Sequence, residues 1–70
     1  MKKLKYYEVD LFLRSGYKVD YEPVATVMLK SIVQVAKFLE TVDLEWLHVS
    51  IYTPKKNLLD AEDILKIWRS

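Results

Sequence analysis

The segment EPVATVMLKSIVQVAKFLETVDLEWL, residues 22–47, contains the only long apolar run of the chain with helical spacing. On a helical wheel its polar side chains fall within one narrow arc: Thr26, Lys30, Gln34, Lys37 and Thr41. At about 100° per residue the apolar remainder spans about 200°, roughly twice the stripe that a helix needs to pack on one side. The segment therefore predicts one long helix that can have Pro23 in its first turn and is buried on more than one side.

The width of the apolar arc indicates that two surfaces cover this helix. A small sheet covers one side, and something else must cover the flank that carries Leu29, Val33 and Ala36. A domain of 70 residues is marginally stable unless disulfides, a metal or oligomerisation assist it. Because the chain has no cysteine, disulfides and thiolate metal sites are excluded. We therefore expect this flank to be a self-association surface, and the protein to be a homo-oligomer such as a homodimer.

The residues before this segment predict a β-hairpin. Two runs alternate between apolar and polar side chains, and their apolar members are Tyr7, Val9, Leu11, Leu13, Tyr17, Val19 and Tyr21. The three-residue loop between the runs ends at Gly16, which takes a positive φ. This loop pairs Leu13 with Tyr17, Leu11 with Val19 and Val9 with Tyr21. It also places Asp10 opposite Asp20.

The residues after the segment predict a third strand and an ambiguous end. Alternation resumes over residues 46–53, and its apolar members toward the helix are Leu47, Val49 and Ile51. The closing run NLLDAEDILKIWRS, residues 57–70, allows two structures. In one, Asp60 caps a short helix whose apolar residues recur at helical spacing. In the other, which we prefer, residues 58–59 pair with the third strand and residues 64–68 form a closing strand.

These elements predict a single α+β domain over residues 1–70. An antiparallel sheet of three to four strands carries one long helix packed on one face, in the order ββαβ, and a short strand or helix closes the chain. A hydrophobic fraction of 51% excludes a disordered chain, and the net charge of +1 gives no global field for nucleic acid or an anionic membrane. The N-terminal lysines precede no long apolar region. We therefore expect neither a signal peptide nor a membrane span, and a cytoplasmic location.

The sequence contains no motif for catalysis or for binding a cofactor or metal. His48 and Ser50 share a strand face, but no third group completes a nucleophilic site. The single glycine is used in the hairpin, which leaves none for a phosphate-binding loop. A hard cation or a basic partner could contact the acidic residues of the hairpin, although a solvated strand face explains them more simply: Glu8, Asp10, Asp20 and Glu22. We expect no enzyme, no cofactor and no metal site.

Aromatic side chains give the more specific prediction. The outer face of the predicted sheet, away from the helix, carries four large rings and the single histidine: Tyr6, Phe12, Trp46, Tyr52 and His48. A contiguous exposed patch of this kind indicates an interaction surface, and Tyr and Trp are enriched at binding hot spots. We therefore predict that these five residues bind a protein partner. A strand order that separates the rings, or a C-terminal segment that folds Trp68 over them, would remove the patch.

Nucleic acid binding is the second hypothesis. Rings on a sheet can stack on bases, but such binding also needs cations, and the outer face offers mainly Lys18 among several acids. A small nucleic-acid-binding regulator would have to use the lysine-rich ends of the chain: Lys2, Lys3, Lys5, Lys55 and Lys56. Solvated chain ends explain these lysines more simply, so we expect a protein partner instead of a nucleic acid.

The order of hairpin, helix and strand, followed by the closing run NLLDAEDILKI of residues 57–67, resembles small phage and prophage open reading frames. The resemblance lies in the order of elements and covers most of the chain. It implies an accessory or host-directed binding protein, a class that includes inhibitors of bacterial defence systems. It implies no individual functional residues. Residues and resemblance together predict a small, non-enzymatic protein-interaction module that self-associates.

Overall fold

The computed structural model describes residues 5–70, so Lys2 and Lys3 of the predicted basic end lie outside the described residues. Five strands and two helices follow in chain order: β1 (Tyr7–Ser15), β2 (Lys18–Val19), β3 (Ala25–Leu29), α1 (Ile32–Leu39), β4 (Leu47–Tyr52), β5 (Leu58–Leu59) and α2 (Ala61–Trp68). The α+β class and the antiparallel sheet are confirmed. The single long helix and the order ββαβ are wrong, because the strand β3 occupies the first part of the predicted helix. The short helix that closes the chain is one of the two ends that the sequence allowed.

β1 is the central strand of the sheet. Along one edge it pairs antiparallel with β4, from Glu8–Tyr52 to Leu13–Leu47. Along its other edge it pairs with β3 over residues 7–11 and with β2 over residues 14–15. β5 adds two residues to the far side of β4. The sheet therefore runs from β3 and β2 at one edge, through β1 and β4, to β5 at the other.

A two-residue turn, Gly16–Tyr17, joins β1 to β2. Ser15 lies opposite Lys18 across this turn. Gly16 has a φ of 61°, whereas Tyr17 does not take a positive value. Glycine in the first position of the turn is the type II′ arrangement, whose twist matches that of two antiparallel strands. The hairpin is confirmed, but the predicted three-residue loop and its register are wrong, since Tyr17 lies in the turn instead of in the second strand.

The chain makes a short detour between β2 and β3. Continuing the β1–β2 register would place Glu22 opposite Leu11, but Ala25 occupies that position. Pro23 lies in the detour and has no N–H to donate to a neighbouring strand. Pairing with β1 resumes where the Val24 N–H donates to the Leu11 carbonyl at 2.7 Å. The detour therefore separates β2 from β3, although both lie along the same edge of β1.

The segment that was predicted to form one helix contains β3 and α1. Ser31 has an extended backbone, and its hydroxyl accepts a hydrogen bond from the Gln34 N–H at 3.2 Å. The Gln34 side-chain oxygen in turn accepts from the Lys30 N–H at 2.8 Å. This reciprocal arrangement is close to a capping box, and it starts α1 at the next residue. The residues before it form a strand whose Val27 and Leu29 pack against the core.

The C-terminal stretch is a strand and then a helix. β5 pairs with the end of β4, as the strand interpretation predicted. The predicted closing strand is wrong, because α2 occupies that region. Asp60 caps α2 by accepting a hydrogen bond from the Glu62 N–H at 2.8 Å. Two acidic residues lie in the first turn of α2 and Lys66 in its last turn, which suits the helix dipole.

Both helices pack on the same face of the sheet. The core lies between them and the strands: Val9, Leu11, Val35, Leu39, Val49, Ile51, Ala61 and Leu65. The last turns of the helices meet where the Trp68 indole N–H donates to the Glu40 carboxylate at 2.6 Å. Trp68 therefore lies on the helix side and does not cover the other face. Within residues 5–70, no helix is long and apolar enough to cross a membrane.

Candidate functional site

The candidate site is the face of the sheet that lies opposite the two helices. Side chains alternate along a strand, so the residues on either side of the buried Val9 and Leu11 point away from the core. The strand register adds the residues that lie directly opposite them on the neighbouring strands. We name this surface the open face, and its members are Glu8, Asp10, Phe12, Thr26, Met28, His48, Ser50, Tyr52 and Leu58.

An aromatic pair lies at one end of the open face. Phe12 and His48 are directly opposite each other on β1 and β4. Their ring centroids are 6.0 Å apart and the ring planes are inclined by 51°. This distance is within the range of favourable aromatic pairs. The structure therefore brings together two of the five residues that were predicted to bind a partner.

A polar row crosses the middle of the open face. Asp10 on β1 lies between Thr26 on β3 and Ser50 on β4. The Thr26 hydroxyl donates a hydrogen bond to the Asp10 carboxylate at 3.0 Å. The predicted pairing of Asp10 with Asp20 is wrong, because the detour after β2 places Thr26 there. A like-charge pair is thereby replaced by a hydrogen-bonded one.

Tyr52 lies beyond the polar row, in a row with Met28, Glu8 and Leu58. Tyr52 lies four residues after His48 along β4, a distance of about 13 Å at about 3.3 Å per residue. Phe12, His48 and Tyr52 therefore share one face but do not form one contiguous patch. The open face therefore has two apolar ends and, between them, a centre of acidic and hydroxyl side chains.

The two other predicted partner-binding residues lie outside the strands. Tyr6 precedes β1 and is half-buried. Trp46 precedes β4 and is 65% exposed. Its carbonyl accepts a hydrogen bond from the Arg14 N–H at 3.0 Å. That bond extends the β1–β4 pairing by one position, so the backbone of Trp46 lies next to the Phe12 and His48 end of the open face.

The three residues of the predicted self-association flank do not lie together on one helix. Leu29 belongs to β3 and packs against the core. Ala36 is only 2% exposed, whereas Val33 is 45% exposed. The prediction placed these residues on one side of a single helix, and it is wrong because only two of them are helical. Self-association itself stays a prediction and needs another surface.

Exposed apolar residues that the sequence did not indicate lie at the β1–β2 end of the sheet. They are Leu13, Tyr17, Val19, Tyr21 and Val24, and we name this part of the chain the hairpin arm. The two tyrosines are fully exposed. The alternation assigned four of these five residues to a buried side of the strands. The helices do not cover this end of the hairpin, and a local sequence pattern cannot reveal that.

Within residues 5–70, no group of three or more His, Cys, Asp or Glu residues is arranged to hold a metal. Beside His48 a groove of about 470 Å³ runs between β4, β5 and the start of α2, and its lining mixes leucines with charged residues: Leu44, Leu47, Leu58, Arg14, Asp60 and Glu62. No nucleophile hydrogen-bonds to a base in it. Its shape and composition suit contact with another chain better than binding of a small molecule.

Comparison with protein-family models, with curated proteins and with solved structures found no match for this chain. The surface itself is therefore the basis for a functional proposal.

Proposed function

We propose that this protein is a small, non-enzymatic binding module that recognises another protein through the open face. The observation that carries the proposal is that both helices pack on one side of the sheet, which leaves Phe12, His48 and Tyr52 on an uncovered surface. Aromatic residues around a hydrogen-bonding centre are typical of protein interfaces, where rings fill pockets and polar groups fix the orientation.

The charges of the open face specify the chemistry of the partner. Glu8 and Asp10 are its two acidic members, and none of its nine members is a lysine or arginine. A complementary surface therefore presents a basic or hydrogen-bond-donating group between two apolar contacts, one for Phe12 and one for Tyr52. Charge complementarity of this kind sets register and specificity more than affinity.

The same charges disfavour nucleic acid as the partner. Base stacking on a sheet needs neighbouring cations to track the phosphates. Here the row between the rings contains Asp10, and no lysine or arginine belongs to the open face. A nucleic-acid-binding regulator remains the alternative. It predicts an oligonucleotide affinity that falls steeply as salt rises.

The resemblance to small phage and prophage reading frames extends the proposal to a biological setting. β3 and α2 depart from the preferred order of elements, so the support that remains is the closing run of residues 57–67. On that basis we propose a host-directed accessory protein that acts in the cytoplasm and binds a bacterial protein. Inhibition of a defence system by occlusion of a functional surface fits such a protein. No catalytic step is needed for that effect.

The experiment compares an open-face variant with a control variant that loses an exposed apolar residue elsewhere. Phe12→Thr combined with Tyr52→Thr removes both apolar ends of the open face and keeps β-branched residues in the strands. Ile67→Gln removes an apolar residue that is 75% exposed on α2. A partner is first identified by cross-linking the wild-type protein in bacterial lysate, and is then purified and titrated by calorimetry.

We expect the open-face variant to bind about tenfold more weakly or worse, because each ring is a candidate hot spot. The Ile67→Gln control should bind like the wild type. Circular dichroism checks that both variants are folded. Equal affinity of a folded open-face variant would overturn the proposal, and a salt-sensitive shift of an oligonucleotide would replace it by the alternative.

A further inference from the structure

Among the described residues, β3 lies at an edge of the sheet. β3 pairs with β1 along one side, from Leu29 to Ala25. Within residues 5–70, no strand pairs with its other side. In an antiparallel pair alternate residues bond to the neighbouring strand, so the remaining N–H and C=O groups of β3 point outward. They form a template that another strand can extend.

Proteins usually protect such an edge, and β3 has none of the usual protections. Residues 24–29, VATVML, contain no charge, no proline and no glycine, and the five pairs with β1 are consecutive, without a bulge. Charged side chains, prolines and bulges are the common devices against edge pairing. The opposite edge of the sheet differs, because β5 is only two residues long.

Exposed apolar residues lie on β3 and next to it in the chain. Met28 lies on the open face, Ile32 and Val33 lie on α1 on the other face, and Val24 precedes the strand. All four are between 41% and 53% exposed. Single exposed apolar residues are common, but a group around an unpaired strand indicates a contact surface.

We infer that two copies of this chain join at β3 to form one continuous antiparallel sheet. A second copy fits because the edge is complementary to itself. A two-fold axis at Val27 places Val27 opposite its own copy, Ala25 opposite Leu29 of the second copy and Thr26 opposite Met28 of the second copy. All five residues of β3 are then paired, and both α1 helices lie on the same side of the joined sheet.

The charges at the two ends of the edge support the same arrangement. Glu22 precedes β3 and Lys30 follows it, and both are exposed. Antiparallel pairing brings the Lys30 end of one copy to the Glu22 end of the other, at both ends of the interface. A parallel arrangement would place like charges together. The edge therefore favours a second copy in the antiparallel direction.

This inference does not rest on the proposed function. The rings of the open face lie on β1 and β4, whereas the dimer contact is at β3. Self-association is thereby moved from the helical flank that the sequence suggested to a strand edge. The open-face variant Phe12→Thr with Tyr52→Thr should leave the mass of the dimer unchanged, so the two proposals fail independently.

The first test measures solution mass by light scattering over a micromolar concentration series. Thr26→Lys combined with Met28→Lys places two lysines on the edge. In the monomer each new lysine lies opposite an acid, Asp10 or Glu8. In the dimer the two lysines of one copy oppose those of the other, which should raise the dissociation constant about tenfold or more. The control Leu58→Lys with Ile67→Lys adds the same charge elsewhere and should leave the dimer intact.

The second test uses the absence of cysteine from the chain. Val27→Cys places one thiol at the two-fold axis, where directly opposed Cβ atoms lie about 5 Å apart and a disulfide is within reach. Mild oxidation should convert this variant to a covalent dimer, whereas Leu58→Cys at the other edge should stay largely monomeric. A wild-type monomer at every concentration would overturn the inference. So would a dimer that tolerates both lysines and is not trapped through Val27→Cys, because its interface would lie elsewhere, for example at the hairpin arm.

Discussion

The two faces of the sheet separate stability from recognition, although alternate residues of the same strands form both. Val9 and Leu11 of β1 are buried beneath the helices, while Asp10 between them hydrogen-bonds to Thr26 on the open face. Full burial of an aliphatic side chain stabilises a protein by about 1.5–3 kcal/mol. A hydrogen bond contributes about 1 kcal/mol, and less where water competes for it. Changes on the covered face should therefore unfold the chain, and changes on the open face should alter what it binds.

The largest effect is expected at Ile51, which is fully buried in the core. Ile51→Ala should lower the free energy of unfolding by about 2–5 kcal/mol, because it loses apolar contacts and leaves a cavity. A domain this small has little stability to lose, so much of the variant should be unfolded at 37 °C. Urea denaturation followed by circular dichroism measures the change.

The neighbouring residue supplies the matched control. Ser50 is next in the chain and points to the open face, so Ser50→Ala should change the free energy of unfolding by about 0.5 kcal/mol or less. Similar losses at both positions would contradict the assignment of the two faces.

A smaller effect is expected at Ser31, the N-cap residue that fixes where α1 begins. Ser31→Ala removes the acceptor of the Gln34 N–H and should cost about 1 kcal/mol of stability. Ser31→Asp keeps a side-chain acceptor at the cap and should restore most of that loss. Thermal unfolding of the three proteins measures the effect. An alanine variant as stable as the wild type would show that packing alone positions α1.

Alternation predicted β1 and β4 and their two faces from the sequence. In both strands the apolar residues alternate with polar or aromatic ones, and a half-buried strand is the simplest structure with that period. The prediction that Phe12, His48 and Tyr52 share the outer face followed from this alternation, and the strand register agrees with it. What they bind stays a prediction.

The boundary between β3 and α1 was missed because the apolar residues of 22–47 fit two periods. A helical wheel groups the polar residues of the whole segment, although Val27 and Leu29 also alternate as in a strand. The signal that separates the two was present: Ser31 lies three residues before Gln34, which is the spacing of a capping box. A wide apolar arc is equally consistent with a strand followed by a short helix.

Local sequence patterns could not predict which residues of the open face lie next to each other on neighbouring strands. The row that contains Glu8 and Tyr52 depends on pairing between residues that are far apart in sequence, and a shift of two residues would leave both alternation patterns satisfied. The detour around Pro23 adds a further change of register within one edge. The sequence therefore indicated which side chains point outward but not which of them are neighbours.

The smallest effect is expected at the Asp10–Thr26 hydrogen bond in the middle of the open face. Asp10→Ala, Thr26→Val and the double variant form a thermodynamic cycle in which Thr26→Val keeps a β-branched side chain in the strand. Because the 3.0 Å bond lies in an exposed setting, the coupling energy should be about 0.5 kcal/mol or less. Chemical denaturation gives the four stabilities. A coupling energy well above 1 kcal/mol would mean that the polar row stabilises the fold as the core does, and the open face would then be a structural surface instead of a free one.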